Sequence, residues 1–479
     1  MLIRFVFIDE SNTQTQLCMK GNQHYLLGAF FCVVLGASAF VACTGRKEEA
    51  ANTFQVPVEY YKLKNGLKVV LSQDKTAPTV TVAVYYNIGF RIEPKDRTGF
   101  AHLFEHMMFQ GSKNLPKGEF DKITQRNGGI NNGSTRFDFT NYFEVMPSHM
   151  LEPVLWAEAD RMNGLDINQA SLENQQGVVK NEVKVNVLNQ PYGGFPWLDM
   201  PQYANENWFN AHNFYGDLAD LDSAKLEDVN SFFKTYYAPN NAALAIVGDF
   251  EIDQAKQWIE KYFGGIAAAR LPAAYDISEK RQEKEKRFTK EDKLASKPAL
   301  AVAYKMPGRN TPEYYAMGLI DQLLVQGQDS KLYQSLVQGK GYTGNVNGGI
   351  NYLGNMYNYN GPMVWMTDLI YDATISPDSI LLQVDQAVAD LEKGVSQEDL
   401  DLAIVKTRSQ LYDNLGGLGI GRADLLACFA LFDDDPARIN SVEAEFRKVT
   451  PELIQKTAKE YLRPTNRTIL IVDPKATNL

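Results

Sequence analysis

The pattern of apolar and polar positions along this chain occurs twice. At a constant offset of 218 residues, Ala83-Val84 returns as Ala301-Val302, Tyr86 as Tyr304, Arg91 as Arg309, Pro94 as Pro312 and Ser112-Lys113 as Ser330-Lys331. Both copies read as an apolar strand, a turn around the arginine, and a helix beginning near the proline. Near an offset of 225, Tyr236-x-x-Pro239-x-Asn241 recurs as Tyr461-x-x-Pro464-x-Asn466. Each is followed by an apolar strand, AALAIVGD in the first half and TILIVDP in the second. The repeat predicts two similar domains, over 54–270 and 298–479, joined by a connector at 271–297. Within the connector, Ser278 to Lys297 is dominated by charge and has little apolar face, which suits a solvated linker or an exposed first strand.

The N-terminus reads as a targeting segment over 1–42. Tyr25 to Ala42 is largely apolar and small, Lys20 precedes it, and Phe40-Val41-Ala42-Cys43 closes it. Small residues before a cysteine resemble a bacterial lipoprotein signal, cleaved before Cys43, which is then acylated. Phe40 departs from the aliphatic residue usual there, so a plain membrane anchor stays open; Met19 is an alternative start. Residues 43–53 read as a polar tether. The expected location is a bacterial cell envelope, as a periplasmic or outer-membrane lipoprotein that meets the membrane only through this end.

Composition narrows the function. A length of 479 residues with 44% hydrophobic content is enough for two cores, and a formal charge of −10 with no basic cluster argues against nucleic-acid binding. Three of the 4 cysteines fall in the first 43 residues, which leaves Cys428 alone as a small buried apolar residue in LLACFALF.

The chemistry gathers at residues 102–106, His-Leu-Phe-Glu-His. On a helix, positions i, i+3 and i+4 share a face, so His102, Glu105 and His106 project together. A histidine pair on a helix is more often an ordinary polar feature. Here Gly99-Phe100-Ala101 precede it and Met107-Met108-Phe109 follow, and two imidazoles in so apolar a helix are costly to bury without a partner. A metal ion is that partner. Catalytic zinc takes three protein ligands plus water, and Glu182, in VVKNEV on a second helical stretch, is the best candidate for the third. The order H-x-x-E-H inverts the commoner H-E-x-x-H yet keeps a glutamate beside a ligand histidine. One Zn2+ held by His102, His106 and Glu182 would activate water, with Glu105 as general base and then acid. A structural zinc would have four protein ligands, often cysteines, which this set lacks. At the repeat offset His102 falls on Ile320, Glu105 on Leu323 and His106 on Leu324, and the counterpart of VVKNE is IVKTR, with Arg408 in place of Glu182. The second domain is therefore expected to be metal-free.

From about Tyr60 onward, and most specifically in Gly99-Phe100-Ala101-His102-Leu103-Phe104-Glu105-His106-Met107-Met108-Phe109-Gln110-Gly111-Ser112, the chain resembles the pitrilysin family of zinc metallopeptidases, in its short two-domain form. The resemblance implies an α+β fold: two homologous domains, each a mostly antiparallel sheet packed against helices, arranged as a clam shell. It implies the same ligands and base as above, and a supporting residue seven positions before the last ligand, where this chain has Gln175 rather than glutamate. Gly128-Gly129-Ile130-Asn131-Asn132-Gly133-Ser134-Thr135 corresponds to an edge strand that pairs with the substrate backbone, which would place Asn132 and Gly133 at the peptide. Tyr342 matches a tyrosine that holds substrate carbonyls, whereas the accompanying arginine position holds Val337. That gap implies work in pairs, as a homodimer or as the zinc-bearing half of a heterodimer with a metal-free homologue. About four domains would enclose a chamber for peptides or unfolded segments. A non-catalytic scaffold of this fold typically loses the metal residues; this chain keeps all four.

Overall fold

TVTVAVYY, rich in β-branched and aromatic residues, forms β3 (Thr79–Tyr86), which is buried from Val80 to Tyr86, as a central strand must be. The computed structural model describes residues 54–416 and 420–474; the targeting segment, the tether and Cys43 lie outside the described residues. The described residues from Gln55 onward form one compact unit. No single helix among the described residues is long and apolar enough to cross a membrane.

The strands form two sheets. In the first, β1 (Glu59–Lys62), β2 (Lys68–Gln73), β3, β4 (Ile130–Thr135), β5 (Thr140–Pro147) and β6 (Ala242–Gly248) lie in the order β1-β2-β6-β3-β5-β4. In the second, β7 (Lys286–Asp292), β8 (Ala299–Lys305), β9 (Asn347–Ile350), β10 (Val364–Ile370) and β11 (Arg467–Pro474) lie in the order β7-β11-β8-β10-β9. Apart from β1 the two orders correspond strand for strand. In each sheet one pairing is parallel, β2 with β6 and β7 with β11, and the others are antiparallel. The register repeats as well: Ala83 faces Ala245, and their counterparts Ala301 and Leu470 face each other. The sheets are mostly antiparallel and packed against helices, the α+β arrangement expected.

Two local expectations change. The charged connector contains β7, whose residues alternate between half-buried and exposed along the edge of the second sheet, so the exposed-strand reading holds for Lys286–Asp292. The helix of the first half does not begin near Pro94. It is α1 (Phe100–Met107), whereas its counterpart does start at Pro312, with the Thr311 side chain accepting from the Tyr314 amide. The difference lies in Glu93. Its buried carboxylate accepts from the amides of Gly99 (2.9 Å) and Ala101 (2.6 Å), so the chain turns through 94–99 before the helix begins.

The halves interlock by exchanging helices. The helix Gly421–Asp433, from the second half, packs on β2, β3 and β6 of the first sheet. Reciprocally, Asp199–Ala204 from the first half packs on β7, β8 and β11, with Met200 and Ala204 against Ala301, Ala303 and Leu470. One apolar cluster consequently runs through both halves, from Val70, Tyr85 and Ala245 to Leu426, Phe429 and Ile469, with Cys428 fully buried inside it.

Candidate metal centre

Phe100, Leu103, Phe104 and Met107 turn one face of α1 into the first sheet's core, where the Phe104 ring stacks on Phe232 at 4.7 Å. Burying side chains of this size stabilises by about 1.5–3 kcal/mol each, which fixes the rotation of the helix and so the direction of the remaining face. Its N-terminus is fixed by a close approach. Gly99 adopts φ +81°, and a Cβ on Gly216 would stand 2.5 Å from the Gly99 backbone, so neither position has room for a side chain. α1 also contacts α4 (Gln169–Val183), which begins with a reciprocal cap: the Asn168 side chain accepts from the Ser171 amide and the Ser171 hydroxyl accepts from the Asn168 amide. Glu182 stands at the end of α4, directly before a π-helical stretch, Lys184–Leu188.

These two helices bring His102, His106 and Glu182 together, with one ligand atom from each within 4.8 Å of the others. Nε2 of His102 is 3.6 Å from Glu182 Oε1, and Nε2 of His106 is 3.3 Å from Oε2. The imidazole rings stand 4.9 Å apart and nearly perpendicular, at 81°. Burial alone would lower the His102 imidazole; the carboxylates of Glu182, Glu105 and Glu93 outweigh it and leave the ring raised. Burial would raise Glu182, and the two imidazoles overcome that, holding its carboxyl near about 2. Glu182 Oε1 and His102 Nδ1 are both buried without a hydrogen-bond partner among the described residues. A carboxylate that faces an imidazole nitrogen with each oxygen, one of those oxygens being orphaned, is an expensive arrangement that a divalent cation would resolve, and two histidines with one carboxylate form a donor set that suits zinc. The residues fit the ion.

Glu105 does not join the ligand trio. Its Oε2 accepts a 2.7 Å hydrogen bond from Thr135 Oγ1, at the end of β4. β4 is the open edge of the first sheet, pairing among the described residues only with β5, and it contacts α1. Asn132 is exposed on this edge, and its side chain accepts from the Gly133 amide. Gly133 is buried, and a Cβ there would stand 3.1 Å from the Tyr142 ring. Gln175 is buried on α4, two turns before Glu182. Tyr342 is half-buried against the apolar cluster that runs through both halves, in the loop after Tyr333–Gly339.

Residues that sequence reasoning missed complete the surroundings. Glu93 caps α1 as described, 3.7 Å from His212 Nε2; a carboxylate a few positions before a helix is a signal that could have found it. Tyr215 sets its ring edge-on to His102 at 5.2 Å and to Trp197 at 5.4 Å. Burial and then the Glu182 and Glu105 carboxylates push its phenol up, while Arg136 acts in the opposite direction. No sequence pattern pointed to Tyr215.

Comparison with known proteins now bears on this geometry. A family profile described as "Insulinase (Peptidase family M16)" matches residues 68–208, and one described as "Peptidase M16 inactive domain" matches residues 223–406. Together they span more than half of the chain. Zinc protease PqqE of Helicobacter pylori is 25% identical over 457 residues, covering 92% of this chain and 98% of that protein. The insulin-degrading enzyme homolog of Dictyostelium discoideum is 32% identical over 210 residues, 43% of this chain but only 21% of that larger protein. Among solved structures, a protease from Helicobacter pylori superposes with a TM-score of 0.80 at 25% identity, over 88% of this chain and 100% of that one. A peptidase M16 inactive domain from Pseudomonas fluorescens shares the fold, with a TM-score of 0.76 at 18% identity over 88% and 98% of the two chains. The chain belongs to peptidase family M16, the pitrilysin and insulinase type, in its short two-domain form.

Proposed function

We propose that this protein is a zinc-dependent endopeptidase acting on peptides or unfolded polypeptide segments. One observation carries the reading: two imidazoles and a carboxylate converge within 4.8 Å, beside a second carboxylate, Glu105, that is held by Thr135 at the end of the open edge strand. A divalent cation bound by His102, His106 and Glu182 would polarise water and bring its pKa toward about 7. Glu105 takes a proton from the attacking water and passes it to the departing amine. The open edge of β4 adds an extended peptide as a further strand, with main-chain hydrogen bonds at Asn132 and Gly133 that tolerate many side chains. Gln175 orients the metal ligands from within α4.

Val337, at the position of the arginine that would accompany Tyr342, supports a second reading in which the chain works with another copy or with a metal-free homologue that brings its own carbonyl-holding groups. The apolar run before Cys43 supports residence in a bacterial cell envelope with Cys43 lipidated. The deciding experiment is cleavage of a peptide library by purified protein, alone and with a candidate partner, against Glu105→Gln. The expected result is cleavage that the variant loses. Retained activity in the variant would overturn the assignment of the base, and full activity of the isolated monomer would overturn the paired reading.

A further inference from the structure

We infer that Thr98 and Gln176 are positioning residues for the metal ion: each grips one end of the segment 217–224, and through it they fix the spacing of the two helices that supply the ligands. The inference rests on the zinc reading above, although neither residue belongs to the ligand trio.

His102 and His106 come from α1 and Glu182 from α4, so the trio exists only while those helices keep their relative placement. Direct packing between them is apolar: Leu103 of α1 and Leu172 and Val179 of α4 are fully buried members of one cluster. Apolar burial is non-directional, so it resists separation of the helices far more than sliding of one along the other. A binding constellation must be held to within about 0.5 Å, which calls for directional contacts.

The segment 217–224 supplies them. It contains a short helix, Leu218–Ser223, and meets both ligand helices. At the α1 end, the Thr98 hydroxyl donates to Asp220 Oδ2 at 2.5 Å and accepts from the Asp217 amide at 2.9 Å. Thr98 stands four residues before His102. Asp217 in turn caps the short helix, accepting from the Ala219 amide at 2.8 Å. At the α4 end, the side-chain amide of Gln176 donates to the carbonyls of Leu221 (2.6 Å) and Ala224 (3.2 Å). The last carbonyls of a helix lack their regular donors, and the two hydrogens of one NH2 group serve this pair. Gln176 stands six residues before Glu182, about 9 Å along the helix axis. Between the two ends, Leu221 is fully buried, and a Cβ on Gly99 would approach its side chain to 3.2 Å. Lys180, one turn beyond Gln176, adds an ion pair to Asp222.

The arrangement is a single brace with one end on each ligand helix. Release at either end frees the helices to slide, and a second release adds little. Two unrelated supports would behave differently, since their losses would multiply.

The test measures zinc affinity by chelator competition for the full chain and for Thr98→Val, Gln176→Met and the double variant. Each substitution keeps side-chain size and removes the side-chain hydrogen bonds to the segment. Each single variant should bind zinc about tenfold more weakly, the lower end of the effect of losing groups behind a metal's ligands. The double variant should also lose about tenfold, rather than the roughly 100-fold of independent sites. Thr98→Ser should match wild type. Co2+ loaded in place of zinc should show a visible absorption band shifted in both single variants, because that band follows coordination geometry. Unchanged zinc affinity in both single variants, with or without a lower urea midpoint for the metal-free protein, overturns the inference and leaves the zinc reading intact. Multiplying losses in the double variant also overturn it, since the two residues would then act separately. A wild-type chain that holds no zinc removes the zinc reading itself, and the brace's role with it.

Discussion

Thr135 Oγ1 donates a 2.7 Å hydrogen bond to Glu105 Oε2, so the last residue of the open edge strand holds the carboxylate assigned as base. A peptide added to β4 would therefore be aligned by the same strand that orients the proton acceptor. Thr135→Val keeps the shape of this buried side chain and removes the donor. The expected result is a kcat about tenfold lower, the rate equivalent of about 1.4 kcal/mol, with zinc content unchanged. Thr135→Ser should restore most of the rate, and a Val variant with full activity would show that the hydrogen bond does not matter to Glu105.

Glu182 reaches the histidines from a different helix, so it tests whether the trio acts as a unit. In Glu182→Gln the carboxylate charge that faces Nε2 of both His102 and His106 is gone. Elemental analysis should find wild type with zinc near one ion per chain and the variant nearly empty after dialysis against a weak chelator. Because zinc binding stabilises the folded state by mass action, added zinc should raise the unfolding temperature of wild type and leave the variant almost unmoved. Equal zinc retention in the two proteins would remove Glu182 from the ligand set.

A buried ion pair ties the halves together. Arg91 Nε donates to Asp138 Oδ1 at 2.7 Å, and Asp138 Oδ2 accepts from the amides of Asn360 (2.8 Å) and Gly361 (3.2 Å). Gly361 comes so near that a Cβ there would stand 2.3 Å from Arg91 Nε. Asp138→Ala leaves two amides without their acceptor and a buried guanidinium without its counter-charge, with only the neutral Asn210 side chain still accepting from it among the described residues. It should cost about 3–5 kcal/mol in urea unfolding. A cost below about 1 kcal/mol would mean that Arg91 finds another acceptor and that this link is dispensable.

The repeat was legible because its conserved letters make the same bonds in both halves. Asn241 Nδ2 donates to the carbonyls of Tyr236 (2.8 Å) and Asn87 (3.3 Å), and Asn466 Nδ2 donates to those of Tyr461 (2.6 Å) and Lys305 (2.9 Å). Asn87 and Lys305 are themselves related by the 218-residue offset. The metal trio was legible because two of its members sit one helical turn apart, where spacing alone fixes the shared face. Tyr215 was not, since it reaches α1 through a turn whose path no periodicity predicts, and Glu93 left only the weaker signal of a carboxylate placed before a helix. The helix exchange was hidden for a related reason: Gly421–Asp433 and Asp199–Ala204 read as apolar helices either way, and nothing local says which sheet they cover.

Asp321 places a pH dependence in the second half, far from the metal chemistry in sequence and free of its ligands. Burial drives its carboxyl up from the ordinary 3.8 to about 6, although the Trp365 indole (2.7 Å) and the Gln326 amide (3.0 Å) both donate to it and act in the opposite direction. The folded state thus binds this proton more tightly than the unfolded state does. The resulting stability is fully present below about pH 4, is lost as pH rises toward 6, and is absent at neutrality. A difference of that size is worth roughly 3 kcal/mol. Asp321→Asn keeps an acceptor for the indole and carries no charge to bury. Urea unfolding from pH 4 to pH 7.5 should show the variant gaining on wild type by up to about 3 kcal/mol, with the change centred between pH 4 and 6. Parallel stability curves for the two proteins across that range would mean that Asp321 titrates as it does in the unfolded chain.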